Sequence, residues 1–331
     1  MELDLTEKQL LNQIQYGVPL AGRPFRDIGM NSSLDEDEVI RRVLYLKESG
    51  ILRWVGAVVD WRKLGFKTTL VAMGVPAERL EEAAQFINRQ QGVGHSYART
   101  HRYNLWFFLN VPPAQELDTV IEDLAFHVGA QATLNLPAVK IFKIESFYDM
   151  LGGNGNGQGA NDVIEPPEPL GQSDGRKPSV VELGILKELQ NDLPVKRRPF
   201  DQMARRVDIY LEEFLEKSQE LVRQGVIRRF SGVVHHRKVG LTHNALSCWK
   251  IPSPKVEAAG AKMARLPAVT RCYERATSHA WPYNVFASIQ GRSQEECDTV
   301  ARQISRQVNI SDFVMLPSVK EYVKDAAAWP G

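Results

Sequence analysis

The chain has 331 residues, of which 43% are hydrophobic and 24% charged, a composition that excludes a disordered or fibrous protein. At about 100–200 residues per domain, this length predicts two or three domains. Lysine and arginine together number 41, against 40 for aspartate and glutamate. The basic excess typical of proteins that bind duplex DNA is therefore missing.

Other broad classes are excluded by motifs and spacing. No apolar run is long enough for a transmembrane helix, and the acidic start of the chain is not a secretory signal, so we expect a cytoplasmic protein. The cysteines Cys248, Cys272 and Cys297 lack Cys-x-x-Cys spacing, which argues against disulfides and zinc. Dinucleotide, Walker, HExxH and GxSxG motifs are also missing. We therefore predict no metal site and no standard cofactor.

Taken in chain order, the first half predicts a helical head followed by an α+β body. Apolar spacing predicts helices near residues 6–15, 22–30 and 34–48. The elements that follow are a strand (51–59), a strand (68–75), a helix (77–89), a strand (94–101), a strand (103–111), a helix (114–128) and a strand (132–144). From 68 onward this is β-α-β-β-α-β, the ferredoxin-like order.

The second half repeats the first. The segment GILRWVGAVVDWRKLGF (50–66) matches GVIRRFSGVVHHRKVGL (225–241) at seven of seventeen positions. Tyr97-Ala-Arg99 recurs as Tyr273-Glu-Arg275, and Leu136-Pro137 recurs as Leu316-Pro317. Several motifs kept in order indicate a tandem duplication. We predict an α+β fold in which each copy is a winged helix-turn-helix head followed by a ferredoxin-like body.

The repeat sets the expected domain boundaries. The segment 150–178 is rich in glycine and proline and has no apolar period, which predicts a flexible linker. The predicted domains are a first head (1–64), a first body (65–149), a second head (179–240) and a second body (241–331).

One strand of each body carries an unusual row of polar side chains. Residues two apart share a face of a strand. The row is His95, Tyr97, Arg99 and His101 in the first copy. In the second it is Arg271, Tyr273 and Arg275, followed by His279 if the strand stays regular that far. A solvated face or an interface between the copies explains such a row, but the repeated Tyr-x-Arg with a following histidine favours an anion-binding pocket that contains an acid. If the bodies pack about a two-fold axis, two equivalent clefts are expected.

A helix-turn-helix head with a ferredoxin-like body resembles the Lrp/AsnC transcription regulators, so DNA binding is the first alternative. A recognition helix reads bases with its N-terminal side chains. Here that position carries acids: Asp35, Glu36, Asp37 and Glu38 in the first copy, and Asp208, Glu212 and Glu213 in the second. Carboxylates repel phosphates, so we expect no DNA partner.

The segments after the polar strands carry a second resemblance. They read RTHRYNLWF (99–107) in the first copy and RATSHAWPYNVF (275–286) in the second. With the Arg-Pro-Phe stretches and the repeated wing segment, these motifs resemble the siroheme decarboxylases of the Ahb and Nir types. The resemblance covers nearly everything outside the linker. The order, with a D-like first half and an L-like second half, resembles the fused form that serves d1-heme synthesis.

The resemblance implies an enzyme without a cofactor of its own, since the siroheme iron belongs to the substrate. It implies that the chain removes CO2 from two acetate arms of siroheme and leaves didecarboxysiroheme. His101 and His279 are the expected catalytic proton donors, although either histidine is also a possible ligand of the siroheme iron. The expected substrate-binding residues, with Trp281 against the macrocycle plane, are Tyr97, Arg99, Arg102, Tyr103, Arg271, Tyr273, Arg275, Trp281, Tyr283 and Asn284.

Arginine suits this role because its planar fork binds carboxylates with two hydrogen bonds. Further basic residues of the wing segments are weaker candidates for the substrate, since plain solvation explains them too: Arg53, Arg62, Lys63, Arg228, Arg229, Arg237 and Lys238. The expected partners are siroheme, a second copy of the chain in a homodimer and neighbouring enzymes of tetrapyrrole synthesis, with no membrane. A ligand-sensing regulator and a tetrapyrrole carrier that performs no chemistry remain as alternatives.

Overall fold

The structure, a computed structural model, describes residues 3–144, 147–151 and 177–322. These residues separate into two units, and each unit takes the corresponding parts of both copies. The head unit holds 3–64, 147–151 and 177–239, and the body unit holds 65–144 and 240–322. Most of the predicted linker lies outside the described residues. None of the helices in the described ranges is both long and apolar enough to span a membrane.

The order of elements confirms the tandem α+β prediction. The first copy comprises α1 (Leu5–Tyr16), α2 (Pro24–Ser32), α3 (Glu36–Glu48), β1 (Leu52–Val59), β2 (Lys67–Gly74), α4 (Leu80–Arg89), β3 (Val93–Arg99), β4 (Leu105–Val111), α5 (Leu117–Val128) and β5 (Ala132–Ile144). The second comprises α6 (Val180–Gln190), α7 (Phe200–Arg206), α8 (Leu211–Arg223), β6 (Ile227–Val234), β7 (His243–Trp249), α9 (Val256–Ala264), β8 (Val269–Arg275), β9 (Val285–Gly291), α10 (Gln294–Val308) and β10 (Phe313–Tyr322).

The first helix of each head begins at a matching cap. Asp4 accepts a hydrogen bond from the Glu7 amide while the Glu7 side chain accepts one from the Asp4 amide. Ser179 and Glu182 make the same reciprocal pair at α6. A capping box of this kind satisfies two amides that the helix leaves open. The repeated sequence therefore starts the same helix twice.

The two heads are joined through their wing strands. β1 and β6 pair antiparallel as a two-stranded sheet. Just after β1, the buried carboxylate of Asp60 accepts hydrogen bonds from Arg62 at 2.6 Å and from Arg228 of the other head at 2.6 Å. Burial alone would raise the pKa of Asp60, but the hydrogen bonds and charges of the two guanidiniums outweigh it and lower the pKa to about 2. One carboxylate therefore binds both copies.

The body unit is a closed eight-stranded barrel with the order β10-β3-β4-β2-β5-β8-β9-β7. The last strand of each copy closes it by changing partner midway. β5 pairs with β2 through Pro137 and with β8 from Ala138, and β10 pairs with β7 through Pro317 and with β3 from Ser318. The order repeats after four strands, so half a turn about the barrel axis exchanges the copies.

Alternating side chains on the barrel strands divide the apolar residues into separate cores. On β4, Phe107 points outward into a core covered by α4 and α5, while Trp106 points into the barrel. α9 and α10 cover the matching outer core of the second copy. The barrel interior therefore has a core of its own, contributed by both copies.

Candidate active site

The polar strands follow the predicted alternation only as far as their arginines. Ala98 lies in the core under the helices, and Tyr97 packs against the barrel interior, as expected for opposite faces. β3 ends at Arg99 and β8 ends at Arg275. The prediction that His101 continues the first strand face is wrong, and the regular strand that His279 required is not formed, because both histidines lie in the loops that follow.

Arg99 and Arg275 are buried in the barrel at equivalent positions, with 6% and 4% of their surface exposed. Each guanidinium lies over the tyrosine two residues earlier, Tyr97 at 5.0 Å and Tyr273 at 4.8 Å. Burial lowers the pKa of each arginine to about 10, so both remain charged at neutral pH. Their Nε atoms are buried and bind no described residue, which leaves donor capacity for an anion.

Each of these arginines also binds a carbonyl of the other copy. Arg99 Nη1 donates to Leu316 O at 2.6 Å, and Arg275 Nη1 donates to Leu136 O at 2.7 Å. The repeated Leu-Pro pair is visible in the sequence, but its role appears only in the folded barrel. It marks the point where the last strand of each copy changes partner. Cys248 was not predicted as a site residue; burial raises the pKa of its thiol, and the charges of Arg99 and Arg275 oppose that rise in part.

His101 is held by the backbone of its own loop. Its amide donates to Arg99 O at 3.0 Å, and its ring Nδ1 accepts a hydrogen bond from the Tyr103 amide at 3.1 Å. Because Nδ1 accepts, the neutral ring carries its proton on Nε2. Burial lowers the pKa of His101 below its usual value, and the charge of Arg102 lowers it further.

The loops of the two copies meet across one mouth of the barrel. Arg102 Nη2 donates to Ala280 O at 3.3 Å, and the Trp281 ring lies 5.5 Å from His101 and 5.9 Å from Tyr103. The copies are related by half a turn about the barrel axis, so equivalent loops share the same end. The loops of both copies therefore form one composite centre at this mouth, and the expectation of two clefts stays a prediction.

Trp281 and His279 of the second loop have opposite environments. Trp281 is 2% exposed, and neighbouring rings surround it, including Trp106 at 5.5 Å and Tyr283 at 5.2 Å. In this conformation its faces are not open to a macrocycle. His279 is exposed at the mouth and makes no hydrogen bond to any residue that the structure describes.

The remaining predicted residues lie around this centre. The side-chain amide of Asn284 makes two hydrogen bonds to the backbone of Ile251. Its Oδ1 accepts from Ile251 N and its Nδ2 donates to Ile251 O, each at 2.8 Å. Arg271 and Tyr273 are half-buried on β8, upstream of the mouth. Tyr283 is half-buried against the barrel core, and burial, followed by the charge of Asp312, raises its pKa.

The wing residues belong to the head unit. Arg62 and Arg228 bind Asp60, and Lys238 Nζ donates to Ser49 O at 3.1 Å. The contacts of Arg228 and Lys238 join the two heads. The other wing candidates, Arg53, Lys63, Arg229 and Arg237, are half-buried or exposed in the same unit.

Two surface cavities each border one predicted residue: Tyr97 donates to Glu321 of the first at 3.4 Å, and Arg229 lines the second. One, of about 360 Å³, is lined by Gln85, Asn88, Arg89, Glu321 and Tyr322 of the body unit. The other, of about 460 Å³, belongs to the head unit and is lined by α1, α8 and β6. Within the described ranges, no cluster of three or more histidine, cysteine, aspartate or glutamate side chains is placed to hold a metal ion.

Comparisons with known proteins agree with this architecture. Residues 63–143 and 238–323 match the AsnC-like ligand binding domain, and residues 7–53 and 182–228 match the siroheme decarboxylase NirDL-like HTH domain. Both domain families therefore occur twice, once in each copy. The match of the head family covers the same three-helix segments that the repeat predicts.

Two curated relatives extend over most of the chain. The siroheme decarboxylase of Hydrogenobacter thermophilus is 34% identical over 317 residues, which cover 96% of this chain and 92% of the relative. The siroheme decarboxylase NirDL subunit of Paracoccus denitrificans is 30% identical over 297 residues, which cover 89% of this chain and 88% of the relative. Both matches span the two copies.

A crystal structure of the siroheme decarboxylase NirDL in co-complex with an iron-uroporphyrin III analogue is 31% identical to this chain, with a TM-score of 0.74. The match covers 98% of this chain and 95% of that one. Fold and site thus define an enzyme built from duplicated helix-turn-helix and AsnC-like domains. The chain belongs to the siroheme decarboxylase family, in the fused form that carries the D-like and L-like halves together.

Proposed function

We propose that this chain is a carboxy-lyase that removes CO2 from two acetate side chains of siroheme and gives didecarboxysiroheme, a step in the synthesis of d1 heme or of heme by an alternative route. The observation that carries the proposal is the composite barrel mouth, where His101 and Arg102 of the first copy contact Ala280 and Trp281 of the second. The full-length relatives support the same reaction.

The arginines supply the recognition of a polycarboxylate. Arg102 is exposed at the mouth, and Arg99 and Arg275 are buried behind it with their Nε donors unused by any described residue. A buried cation without an ionic partner is costly, so an incoming carboxylate is stabilised strongly there. Tyr97, Tyr103, Tyr273 and Tyr283 add hydroxyl groups that suit further carboxylate contacts.

The chemistry requires a proton for each carboxylate lost. When the C–C bond to an acetate carboxylate breaks, CO2 leaves, and the electron pair stays on the methylene carbon attached to the macrocycle. The conjugated ring of the substrate delocalises that charge, and one proton delivered to the carbon completes a methyl group. The protein therefore has to orient the acetate and deliver the proton.

His101 and His279 are the proposed donors, and their surroundings differ. The Tyr103 amide occupies Nδ1 of His101, so His101 becomes an imidazolium only when that contact opens. His279 is exposed and has no such contact among the described residues. Histidine suits the task because its ordinary pKa, near 6.5, lets it hold and give a proton close to neutrality.

The proposal extends to the setting of the enzyme. We propose that it works in the cytoplasm without a resident cofactor, forms a homodimer of the fused chain and hands its product to other enzymes of tetrapyrrole synthesis. The resemblance supports the parts on the cofactor, the homodimer and the hand-over.

The deciding experiment is anaerobic incubation of the purified chain with siroheme, followed by mass spectrometry of the tetrapyrrole. Loss of two CO2 per molecule is the expected result. Siroheme that binds but keeps its mass would identify a carrier and overturn the proposal. Siroheme that does not bind, together with a sequence-specific DNA complex at physiological salt, would identify a regulator.

A further inference from the structure

The indole of Trp281 lies at the centre of the aromatic cluster at the barrel mouth. It meets His101 nearly at a right angle, with the rings 5.5 Å apart and an interplanar angle of 89°. Tyr103 meets it at 81°. The buried Nε1 of Trp281 donates to no described residue. The side chain therefore acts through ring packing and makes no hydrogen bond there.

The backbone fixes Trp281 from the second copy. Ser278 and Trp281 exchange two hydrogen bonds, each of 3.0 Å, which close a tight turn before the indole. Ala280, within the same turn, accepts the hydrogen bond from Arg102. Edge-to-face aromatic pairs with centroids 4.5–7 Å apart are favourable beyond the area they bury. The turn therefore fixes the indole where it packs against the His101 loop of the other copy.

We propose that Trp281 is a positioning residue, which holds the His101 imidazole with Nδ1 on the Tyr103 amide and with Nε2 free for the substrate. The second copy thus orients a reacting group of the first. The contact joins the D-like and L-like halves, so each half alone would lack either the histidine or the ring that orients it. This inference rests on the proposed function for its catalytic consequence, but the orientation itself is measurable without substrate.

The first test is nitrogen NMR of ¹⁵N-histidine-labelled protein without siroheme. Long-range ¹H–¹⁵N spectra report which ring nitrogen carries the proton, and the His101→Asn variant assigns the signal among the seven histidines. Wild-type protein should show His101 protonated at Nε2, with a titration midpoint below that of a free histidine. In Trp281→Ala the midpoint should rise towards 6.5 and both tautomers should appear, because burial and ring contact are lost.

Two further variants keep this test decisive. Trp281→Phe retains an apolar ring and should give a smaller change in the same direction, which is measurable even if Trp281→Ala does not fold. Trp249→Phe is the matched control, because Trp249 is fully buried in the same body but stacks on Phe313 at 4.1 Å. Folded Trp281 variants with the His101 tautomer and midpoint of wild type would overturn the proposal.

The second test separates positioning from binding in the active enzyme. Misplaced reacting groups reduce turnover, so Trp281→Phe should lower kcat about 10- to 100-fold with little change in KM. Trp249→Phe should keep both constants near wild type. A changed KM with an unchanged kcat would overturn the positioning role. If the wild-type chain does not decarboxylate siroheme, the proposed function fails, while the NMR test still decides the orientation of His101.

Discussion

Arg99 donates a hydrogen bond from Nη1 to the backbone carbonyl of Leu316, 217 residues further along the chain. Leu316 precedes the proline at which β10 leaves β7 and joins β3. Arg275 makes the equivalent bond to Leu136 before Pro137. The guanidinium thus satisfies a carbonyl at the point where the strand passes from one copy to the other. The Nε of each side chain donates to no described residue, so the same arginines can both close the barrel and receive an anion.

Replacing Arg99 or Arg275 by alanine should weaken siroheme binding by about 1.5–3 kcal/mol, on the order of 10- to 100-fold in Kd, because a charge-assisted hydrogen bond is lost. Lysine at either position should restore only part of the affinity, because it lacks the planar fork. Titration of the siroheme absorption band measures the constants. Arg302→Ala, on the exposed surface of α10, is the control and should bind as wild type.

Urea unfolding of the same variants tests the other role of these arginines. The alanine variants should lose about 1–3 kcal/mol in the free energy of unfolding, because Leu316 or Leu136 keeps a carbonyl without its donor. If both alanine variants bind siroheme with wild-type affinity, the arginines close the barrel and do not bind substrate.

The sequence predicted the elements of the fold well, because each depends on local pattern. The alternation of Trp106 and Phe107 on β4 is typical of a strand with two different faces, and the reciprocal pair of Asp4 and Glu7 is a local cap. Barrel closure was not predictable in the same way. It depends on pairing between strands of different copies, such as β5 with β8, and no periodicity within one copy encodes that partner.

The equivalence of the two buried arginines was predictable from the repeat, but the geometry of the loops around them was not. Arg99 and Arg275 lie at equivalent buried positions, as the repeat indicated. Period-two reasoning failed for His101 and His279, because nothing in the pattern marks the strand ends at Arg99 and Arg275. The contact of Trp281 with His101 is made between loops of different copies, so no pattern within one copy encodes it.

The stability of the head unit should depend on the ionised form of Asp60. Its pKa is about 2 in the folded chain, against 3.8 for the free side chain. At about 1.4 kcal/mol for each pH unit of difference, this carboxylate contributes about 2 kcal/mol. Asp60→Asn should therefore destabilise the head unit by about that amount at pH 7, as measured by chemical unfolding. Asp123→Asn, on the exposed face of α5, should change little.

The pH dependence of the stability follows from the direction in which folding shifts the pKa of Asp60. Because folding lowers the pKa of Asp60, its ionised carboxylate stabilises the fold above about pH 4. That stabilisation is lost as the pH falls towards 2. The difference between wild type and Asp60→Asn should therefore shrink steadily over that range. A difference that stays constant down to pH 2 would mean that the charge of Asp60 does not stabilise the head.

The heads should bind DNA at most weakly. The first turn of α3 carries Glu36, which pairs with Arg23, and Asp37, whose carboxylate binds Arg197 of the other head at 2.6 Å. Carboxylates at a recognition position repel phosphates, so binding at physiological salt should be no tighter than the non-specific range of about 10⁻⁴–10⁻⁶ M. Fluorescence anisotropy with duplexes of varied sequence measures this. A salt-resistant complex with one sequence would contradict the prediction.

Single replacement of His101 or His279 by asparagine should leave siroheme bound but slow turnover by about 10²–10⁴-fold at the step that each residue serves. The two histidines sit at one composite mouth, so both acetates of the substrate are expected to react there in turn. If each histidine serves one acetate, one variant should accumulate a product that has lost a single CO2, and the other should not start. Mass spectra of the tetrapyrrole over time distinguish these outcomes.

Two comparisons make the histidine test complete. His127→Asn is the matched control, because His127 is exposed on α5 and binds the Asp123 carbonyl in its own helix. It should turn over as wild type. A histidine that ligates the siroheme iron would instead shift the absorption spectrum of the bound substrate when it is replaced. If both variants turn over normally with unchanged spectra, the proton comes from another group, and Tyr103 and Tyr283 at the same mouth are the next residues to replace.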